Sequence, residues 1–284
     1  MNEEGWQLLN YRGVGGTRLA ARIYNSGRSR GLPVLCLTGL TRNGKDFHDL
    51  AIRLSTQCPV IVADYRGRGL SSSADWRTYT PQVEAADILL LLDKLQLTKI
   101  RVIGTSRGGI ISMLLAAIRP DLIEQAVLND IGPVIETRGL KRIVGYVGRE
   151  PAPNWPDAIA DLARANPDFA DMSDKDWERF ARRLYRDSGG RPILDYDPLL
   201  SRTLPETEDL IPEAASPLWG PFEILATRPL LVIRGDRSDI LSAQTLASMK
   251  DVSPNVLSIN IPGRGHAPFL DEPEALEGIE PFLL

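Results

Sequence analysis

The sequence predicts an α/β architecture, a mostly parallel central sheet with helices on both faces and one inserted helical segment. Short apolar runs alternate with longer helix-like stretches, the pattern of a parallel sheet covered by helices. An opening hairpin precedes them, and the alternation breaks off between about residues 133 and 219 before resuming.

"GWQLLNY" and "RLAARIY" flank the turn "GVGG" and form that hairpin. Buried strands are then expected at "PVLCL" (33–37), "VIVAD" (60–64), "IRVIG" (100–104), "QAVLND" (125–130), "PLLVIRG" (229–235) and "VLSINI" (256–261). Between the second and third lies "TPQVEAADILLLLDKL", where Thr80 suits the N-cap, Pro81 the first turn, and Val83, Ala86 and Leu90 an apolar face. "RGGIISMLLAAIRP" reads as a further helix ended by Pro120. The 133–219 stretch shows no convincing strand and reads as helical, with Ser173 and Asp176 as a capping box before "DWERFARRLYRD". In that helix Trp177, Phe180, Ala181 and Leu184 form an apolar stripe, and Arg179, Arg182, Arg183 and Arg186 a basic one. The basic stripe reads as a solvated face balanced by nearby acids, with attraction of anionic substrates as the alternative. The core is therefore assigned to 1–132 and 220–284, and the insertion to 133–219.

A chain of 284 residues with 43% hydrophobic and 25% charged residues fits one large soluble domain carrying an insertion. A net charge of −4 argues against sequence-independent binding of nucleic acid. "MNEEGWQLLN" lacks the charged and apolar regions of a secretory signal, and "ILLLL" is closed by Asp93 and Lys94, far short of the roughly 20 residues of a membrane helix. A cytoplasmic protein is expected, with no nucleic-acid or membrane partner. Cys36 and Cys58 are too few for a disulfide framework and read as buried free thiols.

Gly104-Thr105-Ser106-Arg107-Gly108 fits G-x-S-x-G at the junction of a strand and a helix. There a serine occupies a sharp, strained turn beside a helix N-terminus, which favours developing negative charge. A hydroxyl nucleophile needs a base, and the base needs an orienting group. Of the two histidines, His266 in "GRGHAPFLDEP" follows the final strand and suits the base, whereas His48 falls in a predicted helix and suits packing. The orienting carboxylate is expected to be Asp239 in "GDRSDILS", ahead of Asp130 and Asp236, which suit turn stabilisation.

With Ser106, Asp239 and His266 in that order, the sequence resembles the α/β-hydrolase superfamily over nearly its whole length. "DYRGRGLSS" (64–72) is similar to the family's D-x-R-G-x-G-x-S loop, and "GHAPFLDEPEA" to its histidine loop; both loops, Asp64 included, read as structural. The resemblance implies an α/β-hydrolase fold whose 133–219 insertion caps the active site. It also implies that "TGLTRNGKDF" (38–47) carries the oxyanion loop, although Thr38-Gly39 replaces the usual His-Gly. The two oxyanion donors are then the amides of Leu40 and Arg107.

The expected enzyme is a serine hydrolase that cleaves a carboxylic ester or lactone of a small to medium, partly apolar molecule through an acyl-enzyme, without metal or organic cofactor. Trp155, Trp177, Trp219, Phe222 and Tyr146 are candidates for an apolar pocket, and the Arg107 side chain for reading a substrate carboxylate. Hydrolysis of carbon–carbon bonds or enol-lactones in ring-cleavage products is the alternative within the fold. From another class comes a non-catalytic ligand-binding protein, against which the complete Ser, Asp and His set argues. A dinucleotide site at "GVGG" fares worse, because a strand-like segment follows it and the phosphate site would lack its helix N-terminus.

Overall fold

A computed structural model describes residues 5–25, 31–204 and 218–284. β1 (Gln7–Arg12) and β2 (Arg18–Tyr24) form the opening hairpin. They are followed by β3 (Val34–Leu37), α1 (His48–Leu54), β4 (Val60–Asp64), α2 (Pro81–Lys94), β5 (Ile100–Thr105), α3 (Arg107–Ile118) and β6 (Ile123–Asn129). Next come α4 (Thr137–Tyr146), α5 (Trp155–Ala165), α6 (Asp174–Leu184), β7 (Tyr185–Ser188) and β8 (Arg191–Leu194). The alternation resumes with α7 (Trp219–Leu225), β9 (Leu230–Gly235), α8 (Ala243–Val252), β10 (Val256–Ile261) and α9 (Pro273–Leu283).

The main sheet has the order β1-β2-β4-β3-β5-β6-β9-β10. Its first two pairings are antiparallel and those from β4 to β10 parallel. Successive side chains of a strand point to opposite faces, so a strand covered on both sides is apolar throughout. In β3, Leu35 and Leu37 join the layer formed by α2, α3, α7 and α8, whereas Val34 and Cys36 join that of α1 and α9. Each such buried aliphatic side chain stabilises the fold by about 1.5–3 kcal/mol. The helix starts follow from local chemistry: Thr80 accepts from the Val83 amide ahead of Pro81, and Ser173 and Asp176 complete their capping box.

The segment expected to be wholly helical contains a hairpin. β7 and β8 pair antiparallel through Gly189 and Gly190, whose φ values of 63° and 85° suit the tight turn that joins them. Four-residue strands carrying Arg186, Asp187 and Ser188 have no apolar alternation, and "SGG" was the one turn signal available. Backbone bonds from Gly69 to Asp195 and from Asp197 to Gly67 stitch the end of this hairpin to the loop after β4. On α6, Phe180 and Leu184 pack with Trp155 and Leu162 into a small satellite core. The basic stripe is answered by acids: Arg179 pairs with Asp176 and Asp271, Arg182 with Glu178 and Asp187, Arg183 with Asp49 and Asp271, and Arg186 with Asp195. Residues 205–217 of the expected 133–219 insertion lie outside the described residues. No helix among the described residues is long and apolar enough to cross a membrane.

Candidate active site

β5 ends at the centre of the sheet, and the chain turns directly from it into α3 at Ser106, with φ 51° and ψ −112°. That is a sparsely populated region for a residue with a Cβ, and the surrounding structure must hold it there. Glycines make the turn possible. A Cβ on Gly104 would lie 2.6 Å from the Gly108 backbone, and one on Gly108 would lie 2.1 Å from the Leu37 carbonyl oxygen. Gly108→Ala is therefore expected to force α3 away from β3 and to cost about 3 kcal/mol or more, read as a lower urea midpoint at unchanged slope.

His266 follows β10 and reaches back over the sheet edge. Its Nε2 lies 2.8 Å from Ser106 Oγ, and its Nδ1 lies 2.8 Å from Asp130 Oδ2. Asp130, not Asp239, is thus the carboxylate against the imidazole, which corrects the sequence expectation. The physical reason is strand order: β6 is the immediate neighbour of β5, and Asp130 follows its last residue in the left-handed region, φ 56°. Asp130 is fully buried and also accepts from the Gly235 amide at 2.9 Å and the Ser238 hydroxyl at 2.6 Å. The loop after β9 therefore supports the carboxylate without supplying it. Asp239 instead receives both arms of Arg142 on α4, Nε at 2.7 Å and Nη2 at 2.8 Å. Gly139 and Glu136 donate backbone bonds to the carbonyls of Asp239 and Ile240, so the start of α4 is fastened to this loop. Burial by itself raises the Asp239 pKa, but the Arg142 clamp and the nearby His266 outweigh it and hold the carboxyl below its ordinary value.

Supporting groups missed in the sequence complete the arrangement. Asn129 Nδ2 donates to the Pro268 carbonyl at 2.9 Å, and Glu272 accepts from the Phe269 amide at 2.9 Å and Arg264 Nε at 3.1 Å, fixing the histidine loop. His48 is remote in role: its Nδ1 sits 3.0 Å from the Tyr24 hydroxyl at the start of α1. Asp64 accepts from the Gly44 and Leu70 amides and pairs with Arg22, tying together the loops after β3 and β4. Asp236 is exposed at the end of β9.

Leu40 lies on the loop after β3, where a Cβ on its neighbour Gly39 would be 3.9 Å from Ser106 Cβ. Arg107 is the first residue of α3, so its amide is among those a helix leaves unpaired at its N-terminus. Its side chain does not enter the pocket: Nε donates to Glu84 at 2.8 Å and Nη2 to the Tyr79 carbonyl at 2.9 Å.

Ser106 and His266 open onto a cavity of about 250 Å³, walled by Leu40, Ile143, Leu162, Phe180, Leu184 and Phe269 among others. Of the aromatics expected there, Tyr146 lines it, whereas Trp155, Trp177, Trp219 and Phe222 do not. Trp155 packs in the satellite core under Arg182 and donates to Asp187, while Trp219 and Phe222 pack on each other against the main core. Arginines do face the cavity, mostly with acids attached: Arg42 with Asp46, Arg142 with Asp239, and Arg183 with Asp49 and Asp271. Arg149 lines it with no ion-pair partner among the described residues.

Comparison with known proteins places the chain in a family. The model for the alpha/beta hydrolase fold matches residues 33–273. The chain is 31% identical over 247 residues to a 3-hydroxybutyrate-oligomer hydrolase of Cupriavidus necator, covering 84% of each sequence. It is 29% identical over 236 residues to a 2-(acetamidomethylene)succinate hydrolase of Mesorhizobium japonicum, covering 82% of this chain and 81% of the relative. Among solved structures, an alpha/beta hydrolase from Novosphingobium aromaticivorans superposes with a TM-score of 0.90 at 42% identity over 98% of both chains.

Proposed function

The chain belongs to the α/β-hydrolase family, and from that premise we propose that it is a serine hydrolase cleaving a carboxylic ester through an acyl-enzyme on Ser106. The observation that carries this reading is the continuous contact from Ser106 Oγ to His266 Nε2 and from His266 Nδ1 to Asp130, each 2.8 Å. His266 takes the serine proton as Oγ attacks the ester carbonyl. Asp130 selects the tautomer with Nδ1 protonated and stabilises the imidazolium that forms. The amides of Leu40 and Arg107 receive the oxyanion, a contribution worth about 3–4 kcal/mol for each donor. His266 then protonates the leaving alcohol and activates the water that releases the acid. The segment from α4 to β8 acts as a cap, supplying Ile143, Leu162, Phe180 and Leu184 to the wall above the serine.

For substrate, the cavity favours a short, partly apolar acyl chain. An oligomer of 3-hydroxybutyrate, the substrate in one relative's name, is a row of ester bonds between small aliphatic units with a carboxylate at one end. Arg149, without an ion-pair partner among the described residues, suits that single carboxylate, and the arginines already paired with acids leave little call for a more highly charged ring-cleavage product. Dimers and trimers of 3-hydroxybutyrate are expected to be cleaved, with kcat/KM about tenfold lower when the terminal carboxylate is methylated, the size of one charge-assisted contact. Arg149→Gln should erase that difference. Absence of hydrolysis of these and of simple nitrophenyl esters would overturn the esterase reading in favour of a lactonase, carbon–carbon hydrolase or binding protein.

A further inference from the structure

The α2 helix buries an acid that faces neither solvent nor the reacting groups. Glu84, fully buried in the first turn of α2, lies between two arginines: its Oε1 is 2.9 Å from Arg68 Nη1, and its Oε2 is 2.8 Å from Arg107 Nε. Each arginine is tied to a residue beside the nucleophile, Arg68 to the Leu40 carbonyl and Arg107 to its own backbone next to Ser106. Arg68 donates from Nε to the Leu40 carbonyl at 3.0 Å and from Nη1 to the Arg66 carbonyl at 2.6 Å, and its guanidinium lies over the Tyr79 ring. Arg107 is fixed a second time by the Tyr79 carbonyl.

We infer that Glu84 is a positioning residue for the oxyanion hole, one carboxylate that sets the spacing of the Leu40 and Arg107 amides through Arg68 and Arg107. The inference rests on the serine-hydrolase reading above. Removing a carboxylate and two guanidiniums from water is costly, and apolar packing would join α2 to these loops at lower cost. What charge adds is direction: Arg107 is hydrogen-bonded to both the Glu84 carboxylate and the Tyr79 carbonyl, which fixes its plane, whereas Arg68 is oriented by the Leu40 and Arg66 carbonyls and meets Glu84 Oε1 as an ion pair without a hydrogen bond. The fixed groups here belong to Leu40 and Arg107, the two residues assigned above as oxyanion donors. Oxyanion stabilisation depends on donors held at the right place before the reaction, so loosening this brace acts on the transition state more than on substrate binding.

The test compares an oxoester with its thionoester analogue, whose sulfur is a poorer acceptor for the same amides, in wild type, Glu84→Gln and Glu84→Asp. Glu84→Gln is expected to lower kcat on the oxoester about tenfold or more with KM within about twofold, a fraction of the 10²–10³ that losing a whole donor costs. The thionoester should slow far less, so that the ratio between the two collapses, and Glu84→Asp should restore part of it. The pH midpoint of kcat/KM should not move, because His266 and Asp130 are untouched. If Glu84→Gln does not fold, Arg107→Lys gives the same readout, keeping the amide and the charge while losing the planar grip. Equal losses on both esters, or a lower melting temperature with unchanged ratio, would make Glu84 merely structural and overturn the inference. A wild type inactive on both esters would instead sink the serine-hydrolase reading, and this inference with it.

Discussion

Asp130→Asn is expected to lower kcat about 10⁴-fold with little change in KM, the loss found when an amide forces the imidazole of a serine protease into the wrong tautomer. In the native protein Asp130 Oδ2 lies 2.8 Å from His266 Nδ1 and is steadied by Gly235 and Ser238. An asparagine can still accept from the Gly235 amide through Oδ1, while Ser238, which shares Oδ2 with His266, can rotate its hydroxyl and accept from the amide nitrogen placed there, so the fold is preserved. It would present N–H to Nδ1, however, and leave the proton on Nε2, where it is useless for accepting one from Ser106. Asp239→Asn, by contrast, weakens the Arg142 clamp between α4 and the loop after β9. Its effect is expected to stay within about tenfold and to fall on KM, since it loosens the wall of the pocket and leaves the proton path intact. Steady-state kinetics of the two purified variants, with matched circular dichroism, distinguish these outcomes.

Ser106→Ala is expected to lower kcat about 10⁶-fold, as removal of a nucleophile does when base and orienting acid have nothing left to act on. The fold should survive it. The strained φ of 51° is imposed by the junction of β5 and α3, and alanine meets the same backbone demand as serine. The cavity is otherwise unchanged, so the variant should still bind a short hydroxy acid product, measurable by calorimetry. Loss of turnover with binding retained separates chemistry from structural damage.

Much of the scaffold is legible in the sequence because its determinants are local. "VLCL" and "VIVAD" can be buried on both faces only in a covered parallel sheet, and Thr80-Pro81 and Ser173…Asp176 mark helix starts by chemistry within four residues. Ser106 and His266 are legible for a similar reason: the glycines at 104 and 108 announce a turn no larger residue could make, and few histidines compete. Asp130 is not legible in this way. Its role depends on β6, rather than β9, lying beside β5, and on Asp239 being taken by an arginine 97 positions away. The pocket wall is likewise non-local. Trp155 and Trp219 look like pocket residues by size, yet each is consumed by packing, while Leu40, Ile143 and Phe269 arrive from three separate segments. The β7–β8 hairpin escaped because its strands are short and polar, and pairing with the loop after β4 compensates for what their sequence lacks.

The most direct test of the assignment is the rate at which a fluorophosphonate labels the protein, followed by intact mass and peptide mapping. Wild type is expected to take up one adduct on the peptide containing Ser106, Ser106→Ala none, Asp239→Asn one at close to the wild-type rate, and Asp130→Asn one at a rate orders of magnitude slower. An adduct on Ser106→Ala, or rapid labelling of Asp130→Asn alongside slow labelling of Asp239→Asn, would contradict the assignment and return the orienting role to Asp239.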